Sequence, residues 1–256
     1  MEILMATLSS MGTDGFEEKE KKLLVYFPEN NPEEVDITRF LEEQGYTYTR
    51  QVITSQNWNH SWESNFEPVI VEDLVGIRAE FHNPIPEVKH ELLITPKMSF
   101  GTGHHATTYL MIKAMMELDI INRTVLDFGT GTGVLAILAE KLGALHVLAI
   151  DNDEWSISNA AENIEKNACK RIKLEMAEEL LSLKDSFDII LANINRQVIL
   201  DNITSIKRLL KTDSVLLLSG LLKEDREEVK QAFKLQDIKF SNVWERGDWI
   251  CLKSEY

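Results

Sequence analysis

Residues 123–153 constrain the fold of this chain more than any other segment. A short apolar strand is predicted at 124–128. Three alternating glycines come next: Gly129, Gly131 and Gly133. Apolar residues at helical spacing then run over 134–142, and a second apolar strand, 146–150, leads to Asp151. This order predicts a βαβ unit that binds a nucleoside cofactor: a strand, a glycine turn, a helix, a second strand and an acid.

The spacing of the glycines indicates which cofactor the turn binds. Dinucleotide-binding turns prefer GxGxxG, whose last glycine lets the helix pack closely against the strand. Here the sequence is DFGTGTG, and the carboxylate of Asp127 would repel a pyrophosphate. DxGxGxG with a downstream acid, here Asp151, resembles the motif of class I methyltransferases, which bind S-adenosylmethionine (SAM) through its ribose hydroxyls at this acid. A nicotinamide oxidoreductase and a doubly wound domain without a cofactor remain alternatives.

The rest of the predicted catalytic domain, 92–256, alternates helices and strands. Helices are predicted at 106–118, 154–167, 198–210 and 224–233, and strands at 172–176, 187–192, 214–219, 239–245 and 249–253. The last two strands are joined by residues 246–248, Arg-Gly-Asp, which suit a hairpin turn. With the two strands of the βαβ unit, they predict an α/β fold with a seven-stranded Rossmann-like methyltransferase sheet, helices on both faces and an antiparallel edge.

A small α+β domain is predicted at 1–54. It contains a strand at 23–27, a helix at 33–44 that ends at Gly45, and a second strand at 46–53 with alternating threonine and tyrosine. The chain begins directly with a segment that resembles a helix.

Residues 55–91 form a linker of one helix and bridging strands. Trp58, Trp62 and Phe66 recur every four residues, so that they share one face of a helix. They either staple two domains together or recognise a peptide directly. Strands are predicted at 69–81 and 91–95, separated by a proline-marked loop.

The composition limits the class of partner and the compartment. Lys and Arg number 27 against 42 Asp and Glu, which gives a net charge of −15. An acidic surface repels phosphate backbones, so we expect no direct nucleic-acid binding and favour a basic partner, although acidity can also serve solubility alone. The two cysteines are far apart in sequence, and no apolar run is long enough for a membrane span. A cytoplasmic protein without membrane attachment is therefore expected, and we expect it to be a monomer.

A second glycine-rich segment, ITPKMSFGTGHHATT at 94–108, precedes the βαβ unit. It suits a loop that closes over a ligand, followed by a helix whose first turn offers free amides and the hydroxyls of Thr107 and Thr108. Such a helix start binds carboxylates, and the methionine part of SAM carries one. The pair His104 and His105 could belong to a metal site, but adjacent side chains point apart and no third ligand is evident, so no metal is expected.

The segment LANINRQ follows the fourth strand of the sheet and contains Asn193 and Asn195. In class I methyltransferases the end of this strand lies beside the departing methyl group. Amide and carbonyl oxygens there accept hydrogen bonds from a target amine and orient its lone pair toward the methyl carbon. Enzymes that methylate flipped bases often carry an aromatic residue here, whereas this chain has Ile194 and Asn195 after Asn193. The target is therefore predicted to be an aliphatic amine, unless either asparagine only satisfies a turn.

Taken together, five motifs of the chain resemble the ribosomal protein L11 methyltransferase family. They are FGTGHHATT, DFGTGTGVLAILAEKLGA, the acid of AIDND, the ANI of LANINR and the SGLL of 219–222. The similarity is strong over about 55–256 and weak before it. It implies SAM-dependent trimethylation of lysine side chains and of the N-terminal amine of that basic protein, free or in the ribosome, with the substrate recognised by a ferredoxin-like N-terminal domain. The resemblance places six residues at the cofactor: Phe100, Thr108, Gly129, Gly131, Asp151 and Asn193. It also places Asn193 and Ile194 at the target amine as catalytic residues. A class I methyltransferase for a small molecule or a nucleic acid is the alternative.

Two features depart from the family pattern. A ferredoxin-like domain opens with a strand, whereas this chain opens with the segment that resembles a helix, so the first strand is either missing through truncation or absent from an abbreviated variant. Asn195 and Arg196 stand where short apolar residues are expected, which predicts a more polar amine pocket. No general base is evident, because Glu178 and Glu179 are better placed near the adenine, and solvent would take the proton.

Overall fold

A computed structural model of the chain describes residues 2–9, 11–19, 22–28, 31, 34–51, 67–95, 97, 99–177 and 180–255. The chain divides into two compact units, 1–65 and 66–256. The sequence-based boundary at 54/55 lies outside the described residues, as does the predicted helix with Trp58, Trp62 and Phe66.

The first unit has the order helix, strand, strand, helix: α1 (Glu2–Ser9), β1 (Gly15–Lys19), β2 (Lys22–Tyr26) and α2 (Glu34–Glu43). The two strands form an antiparallel hairpin, with Gly15 opposite Tyr26. Two apolar side chains, Leu8 and Ile37, are buried. The N-terminal helix and the helix at 33–44 were predicted, but β1 was not, because its charged sequence GFEEK carries no strand pattern.

The strand predicted at 46–53 is wrong over 46–51, which is irregular and exposed. Its alternation of threonine and tyrosine fits a strand, yet it pairs with neither described strand of this unit. Side chains hold it instead: Tyr48 donates to Glu42 over 3.2 Å, and Arg50 pairs with Glu34 at 2.9 Å. The described part therefore has the inner α–β–β–α order of a ferredoxin-like βαββαβ arrangement, without its outer strands.

The second unit begins with a three-stranded sheet of β3 (Val69–Val71), β4 (Val75–Arg78) and β5 (His90–Leu93). β3 and β4 are antiparallel, and β5 runs parallel to β4. The turn between β3 and β4 places Glu72 and Asp73 in the left-handed region, with φ of 49° and 54°. The single strand predicted at 69–81 is therefore a hairpin of two short strands, because this turn reverses the chain, whereas the strand predicted at 91–95 is present as β5, and the proposed boundary at 91/92 falls inside it.

The main sheet of the second unit has seven strands in the order β11-β12-β10-β9-β6-β7-β8. Its strands are β6 (Thr124–Phe128), β7 (His146–Asp151), β8 (Ile172–Met176), β9 (Phe187–Asn193), β10 (Leu210–Leu222), β11 (Lys239–Arg246) and β12 (Trp249–Glu255). The first five are parallel, and at one edge β12 runs antiparallel to β10 and β11 runs antiparallel to β12. The predicted seven-stranded sheet with an antiparallel edge is confirmed, and the last two strands meet in a two-residue turn at Gly247 and Asp248.

Helices cover both faces of this sheet because its strands are apolar on both sides. They are α3 (Ala106–Met116), α4 (Val134–Lys141), α5 (Glu154–Lys166), α6 (Arg196–Asp201), α7 (Ile203–Leu209) and α8 (Arg226–Lys234). Alternate residues of β6 show the two faces: Val125 packs in the core that contains α3 and α4, and Leu126 in the core that contains α7 and α8. Among the described residues no helix is long and apolar enough to cross a bilayer.

The predicted helix at 198–210 is divided in the structure. α6 ends at Asp201 and α7 begins at Ile203, because Asn202 between them leaves the helical conformation and donates from its side chain to the Val198 carbonyl over 2.9 Å. β10 extends well beyond the predicted 214–219 on both sides, and α8 is preceded by a 3₁₀ turn at Lys223–Asp225. The parallel strands β6, β7, β9 and β10 end at one edge of the sheet, where the antiparallel β12 begins. The candidate site lies at this edge.

Candidate functional site

The glycine turn after β6 is held in a left-handed conformation by its surroundings. Gly129, Gly131 and Gly133 have φ of 74°, 54° and 81°, which only glycine adopts without strain. The amides of Gly129 and Thr130 both donate to the Ile150 carbonyl over 2.9 Å, so the turn is tied to the end of β7. Close contacts exclude a side chain: a Cβ atom at Gly131 would lie 2.3 Å from the Phe100 carbonyl oxygen.

Asp151, at the end of β7, contacts the glycine turn directly. Its Oδ2 accepts from the Gly131 amide over 2.9 Å, and its Oδ1 accepts from the Asp153 amide over 3.1 Å. An ionised carboxylate has about four acceptor positions, so roughly two remain free on Asp151. Two free acceptors equal in number the two hydroxyls of a ribose. The structure brings Asp151 into contact with Gly131, and the family resemblance places both residues at the cofactor.

Asp127 is buried beneath the glycine turn, with 1% of its surface exposed. Its Oδ2 accepts from the Thr130 hydroxyl over 2.6 Å and from the Ala136 amide over 3.2 Å. Burial raises the pKa of Asp127 to about 7, against the opposing effect of these hydrogen bonds, and the nearby charge of Asp151 adds to the rise. These partners give Asp127 a part in holding the turn and the start of α4.

We expect Asp127→Asn to change how stability depends on pH. A carboxyl with a raised folded pKa stabilises the fold most below its unfolded pKa of about 3.8, and that stabilisation is lost as the pH rises to about 7. Asparagine keeps the acceptor oxygen without the charge. The free energy of unfolding of Asp127→Asn relative to wild type should therefore rise by roughly 2–3 kcal/mol between pH 5 and pH 8. Urea unfolding at both pH values measures it, with the exposed Asp185→Asn as control; an equal change in the two variants would contradict the expectation.

The second glycine-rich segment docks on the glycine turn. The Thr132 amide donates to the Phe100 carbonyl over 2.9 Å, and the Thr132 hydroxyl donates to the Gly101 carbonyl over 2.7 Å. The φ of Gly101 is 106°, and a Cβ atom there would lie 2.7 Å from the Thr132 hydroxyl oxygen. The two glycine-rich motifs, which are separate in the sequence, therefore lie together in one site. The ring of Phe100 is half-exposed and lies at the border of this site.

The helix α3 begins at the end of this loop. His105 caps it: its Nδ1 accepts from the Thr107 amide over 3.3 Å, and its ring packs edge-on against Phe100 and Trp249. His104 contacts the Glu67 carbonyl through Nε2 at 2.9 Å. In the described part of the chain no three potential metal ligands cluster. Both histidines thus have structural contacts in this loop.

Asn193 reaches the same place from the end of β9. Its side-chain nitrogen lies 3.4 Å from the hydroxyl oxygen of Thr108, which is fully buried in the first turn of α3. The Asn193 oxygen is also buried, and it has no hydrogen-bond partner among the described residues. A buried amide oxygen without a partner is costly, and this one is an acceptor that a ligand group could occupy.

Ile194 packs against both neighbouring turns. A Cβ atom at Gly129 would lie 2.3 Å from Ile194 Cγ2, and one at Gly220 would lie 2.1 Å from the Ile194 carbonyl oxygen. Gly220 has a φ of 81° and sits in a bulge of β10 beside Ser219, which pairs with Asn193. The SGLL motif therefore supplies a glycine on which the backbone of Ile194 rests, a function that the sequence did not specify.

Asn195 and Arg196 are occupied by structural contacts. Asn195 caps α6, because its side-chain oxygen accepts from the Val198 amide over 3.0 Å. Arg196 pairs with Glu228 of α8 at 2.6 Å and approaches Asp225 at 3.4 Å. The contacts of Asn195 thus support the interpretation that this asparagine satisfies a turn. Both polar side chains stabilise the packing of α6 and α8.

Three contributions to the site were not predicted: Thr132, Gly220 and Asn163. Asn163, on α5, is fully buried and binds the glycine turn through the Thr132 carbonyl. The alternating glycines flanking Thr132 and the SGLL motif were visible signals for the first two. Asn163 gave none, since an asparagine within a helix has no distinctive pattern. Glu178 and Glu179 lie outside the described residues.

Comparisons with known proteins agree on one family. The family model described as "Ribosomal protein L11 methyltransferase (PrmA)" matches residues 8–256. The ribosomal protein L11 methyltransferase of Porphyromonas gingivalis is 38% identical over 259 residues, which cover 98% of this chain and 89% of the relative.

Solved methyltransferase structures share the fold, and one of them bears the family's function in its name. The ribosomal protein L11 methylase of Lactobacillus delbrueckii subsp. bulgaricus is 29% identical with a TM-score of 0.69, covering 74% of this chain and 98% of its own. A SAM-dependent methyltransferase from Aquifex aeolicus is 25% identical with a TM-score of 0.50, covering 56% of this chain and 88% of its own.

Proposed function

This chain belongs to the ribosomal protein L11 methyltransferase family, and on that premise we propose that it transfers methyl groups from SAM to amines of ribosomal protein L11. The observation that carries the proposal is the docking of the second glycine-rich segment on the glycine turn beside Asp151. This contact joins the two motifs of the family into one cofactor site. The part of the second glycine-rich segment before α3, which contains Phe100, is called the Phe100 loop below. The alternative substrates, a small molecule or a nucleic acid, are not favoured, and a net charge of −15 argues against a phosphate backbone.

We assign the cofactor to six residues. Asp151 would accept from the ribose hydroxyls with its two free positions, and Gly129 and Gly131 would let the cofactor approach the backbone. Thr108, at the start of α3, would bind the carboxylate, with Phe100 at the border of the site. Asn193 would contact the cofactor and the target amine. When bound, SAM supplies an electrophilic methyl carbon on a positively charged sulfur.

Asn193 and Ile194 are the residues that we place at the target amine. The unpartnered oxygen of Asn193 can accept a hydrogen bond from an amine N–H and so fix the direction of its lone pair. Ile194, held by the close approaches at Gly129 and Gly220, would form an apolar wall that excludes water. A lysine with a reference pKa of about 10.4 must lose a proton before each transfer, and an apolar wall favours its neutral form. Asn193 is no base, so solvent takes the proton.

The finer features of the reaction are also proposals. They are trimethylation of lysine side chains and of the N-terminal amine, recognition by the N-terminal unit, a cytoplasmic monomer, and a substrate taken free or in the ribosome. Incubation of the full chain with labelled SAM and purified ribosomal protein L11, followed by mass spectrometry, tests which amines are methylated and to what degree. Label on lysine and α-amine in steps of one methyl is expected. If ribosomal protein L11 carries no label, the proposal is refuted.

We expect Asn193→Ala to reduce kcat on ribosomal protein L11 by roughly tenfold to a hundredfold, because the target amine loses its orienting acceptor. Asn195→Ala is the matched control. It removes a helix cap, which costs about 1 kcal/mol of stability, but leaves the site itself intact. Steady-state kinetics and thermal unfolding of both variants measure the two effects. Equal kcat values in the two variants would speak against a part for Asn193 in the site.

A further inference from the structure

Residues 93–95 lead into the Phe100 loop. Side chains of α5 and of the residue directly after it hold their backbone, as a neighbouring strand would in a sheet. Asn167, directly after α5, accepts from the Leu93 amide over 3.1 Å and donates to the Leu93 carbonyl over 2.7 Å. Asn163, one turn earlier, accepts from the Thr95 amide over 2.8 Å. The two asparagines thus imitate the backbone of a paired strand along residues 93–95.

Only one of these asparagines also reaches the cofactor turn. The side-chain nitrogen of Asn163 donates to the Thr132 carbonyl over 2.8 Å. Thr132 in turn holds the carbonyls of Phe100 and Gly101. The corresponding nitrogen of Asn167 donates to Leu93 and to the Asn163 carbonyl, both outside the turn. Asn163 therefore connects the base of the Phe100 loop to the glycine turn on which the tip of that loop rests.

Burial makes this connection stiff. Asn163 is fully buried, so water cannot replace its partners, and a buried amide left unpaired costs about 1–3 kcal/mol. The next segment of the loop is fixed from the same helix, since Glu162 accepts from the Thr95 hydroxyl over 3.1 Å and forms an ion pair with Lys97. The loop is thus bonded to Asn163 at its base and to Thr132 at its tip, and Asn163 bonds to Thr132, so the loop and the glycine turn are linked at both places.

We propose that Asn163 is a positioning residue for SAM: it contacts no ligand itself but sets the spacing between the Phe100 loop and the glycine turn. This inference rests on the proposed function, because it assigns SAM to the space between these two segments. Losing the Thr132 bond lets the segments separate, so that Thr108 and Asp151 no longer meet one ligand at the right distance. Affinity for the cofactor falls more than the rate of the bound complex.

The isosteric variants Asn163→Asp and Asn167→Asp test the proposal as a matched pair. Each keeps the acceptor for a backbone amide and replaces a donor to a carbonyl by an oxygen. Asn163→Asp should raise the Kd of S-adenosylhomocysteine and the KM for SAM about tenfold, with a smaller effect on kcat. Asn167→Asp should leave both constants within about twofold of wild type. Calorimetry and steady-state kinetics supply the values, and unfolding measurements supply the loss of stability in each.

Equal cofactor affinity in the two variants would overturn the proposal, and so would a loss that follows stability alone. If Asn163→Asp does not fold, amide hydrogen exchange of the wild-type chain decides. Binding of S-adenosylhomocysteine should then slow exchange at Thr95, whose amide bonds to Asn163, more than at Leu93, whose amide bonds to Asn167; an equal change contradicts the proposal. A wild-type chain that binds no S-adenosylhomocysteine refutes the proposed function instead, so the two failures are distinct.

Discussion

An Asp151→Ala variant is expected to bind S-adenosylhomocysteine roughly a thousandfold more weakly than the wild-type chain. The proposed bonds from two ribose hydroxyls to a carboxylate are each worth about 1.5–3 kcal/mol, and both are lost. The substitution also removes the acceptors of the Gly131 and Asp153 amides, so the glycine turn keeps its backbone bonds to Ile150 but loses its side-chain bond to the end of β7. Calorimetric titration measures the loss, and turnover of ribosomal protein L11 at limiting SAM should fall in parallel.

Asp153→Ala is the matched control for this prediction. Asp153 lies two residues further on and caps α5, where its Oδ2 accepts from the amide and the hydroxyl of Ser156 over 2.9 Å each. Its loss should cost about 1 kcal/mol of stability and leave cofactor affinity within about twofold. If both variants lose the same affinity, the ribose assignment of Asp151 is wrong, and the effect belongs to the fold of this edge.

A Gly131→Ala variant is expected to lose about 3 kcal/mol of stability and most of its cofactor affinity. The left-handed φ of 54° costs about 1 kcal/mol for alanine. The added methyl group would lie 2.3 Å from the Phe100 carbonyl oxygen, which belongs to the backbone and cannot rotate away. The Phe100 loop must then move off the glycine turn and break its bonds to Thr132. Overpacking of this kind typically costs about 1–3 kcal/mol in addition.

Gly247→Ala separates the cost of the backbone conformation from that of the contact. Gly247 has a φ of 58°, almost that of Gly131, but a Cβ atom there would have no atom within 4 Å. This variant should lose only about 1 kcal/mol and keep full cofactor affinity. Chemical unfolding and calorimetry of both variants provide the comparison. Identical losses in the two variants would show that the loop and the turn are not in the close contact described.

Several parts of the fold could be predicted because their signals are local. The apolar strands β6 and β7, the glycines between them and the acid at 151 lie within 31 residues, and periodicity and spacing decide them. Elements that depend on distant partners were less accessible. Residues 46–51 have a strand pattern, but no described strand pairs with them. The division of the helix at Asn202 is a different case, because it comes with a local side-chain bond to Val198 that the apolar spacing does not reveal.

The same division applies to the candidate site. Sequence alone determined the βαβ unit, the two glycine-rich motifs, and Asp151 and Asn193 as polar groups at strand ends, because each follows from order along the chain. Tertiary structure decided how they meet. Thr132 binds a loop 31 residues away, Gly220 admits the backbone of Ile194, and Asn163 joins two segments that no pattern connects. These contacts depend on distances between residues remote in sequence, and only the packed sheet and its helices fix those distances.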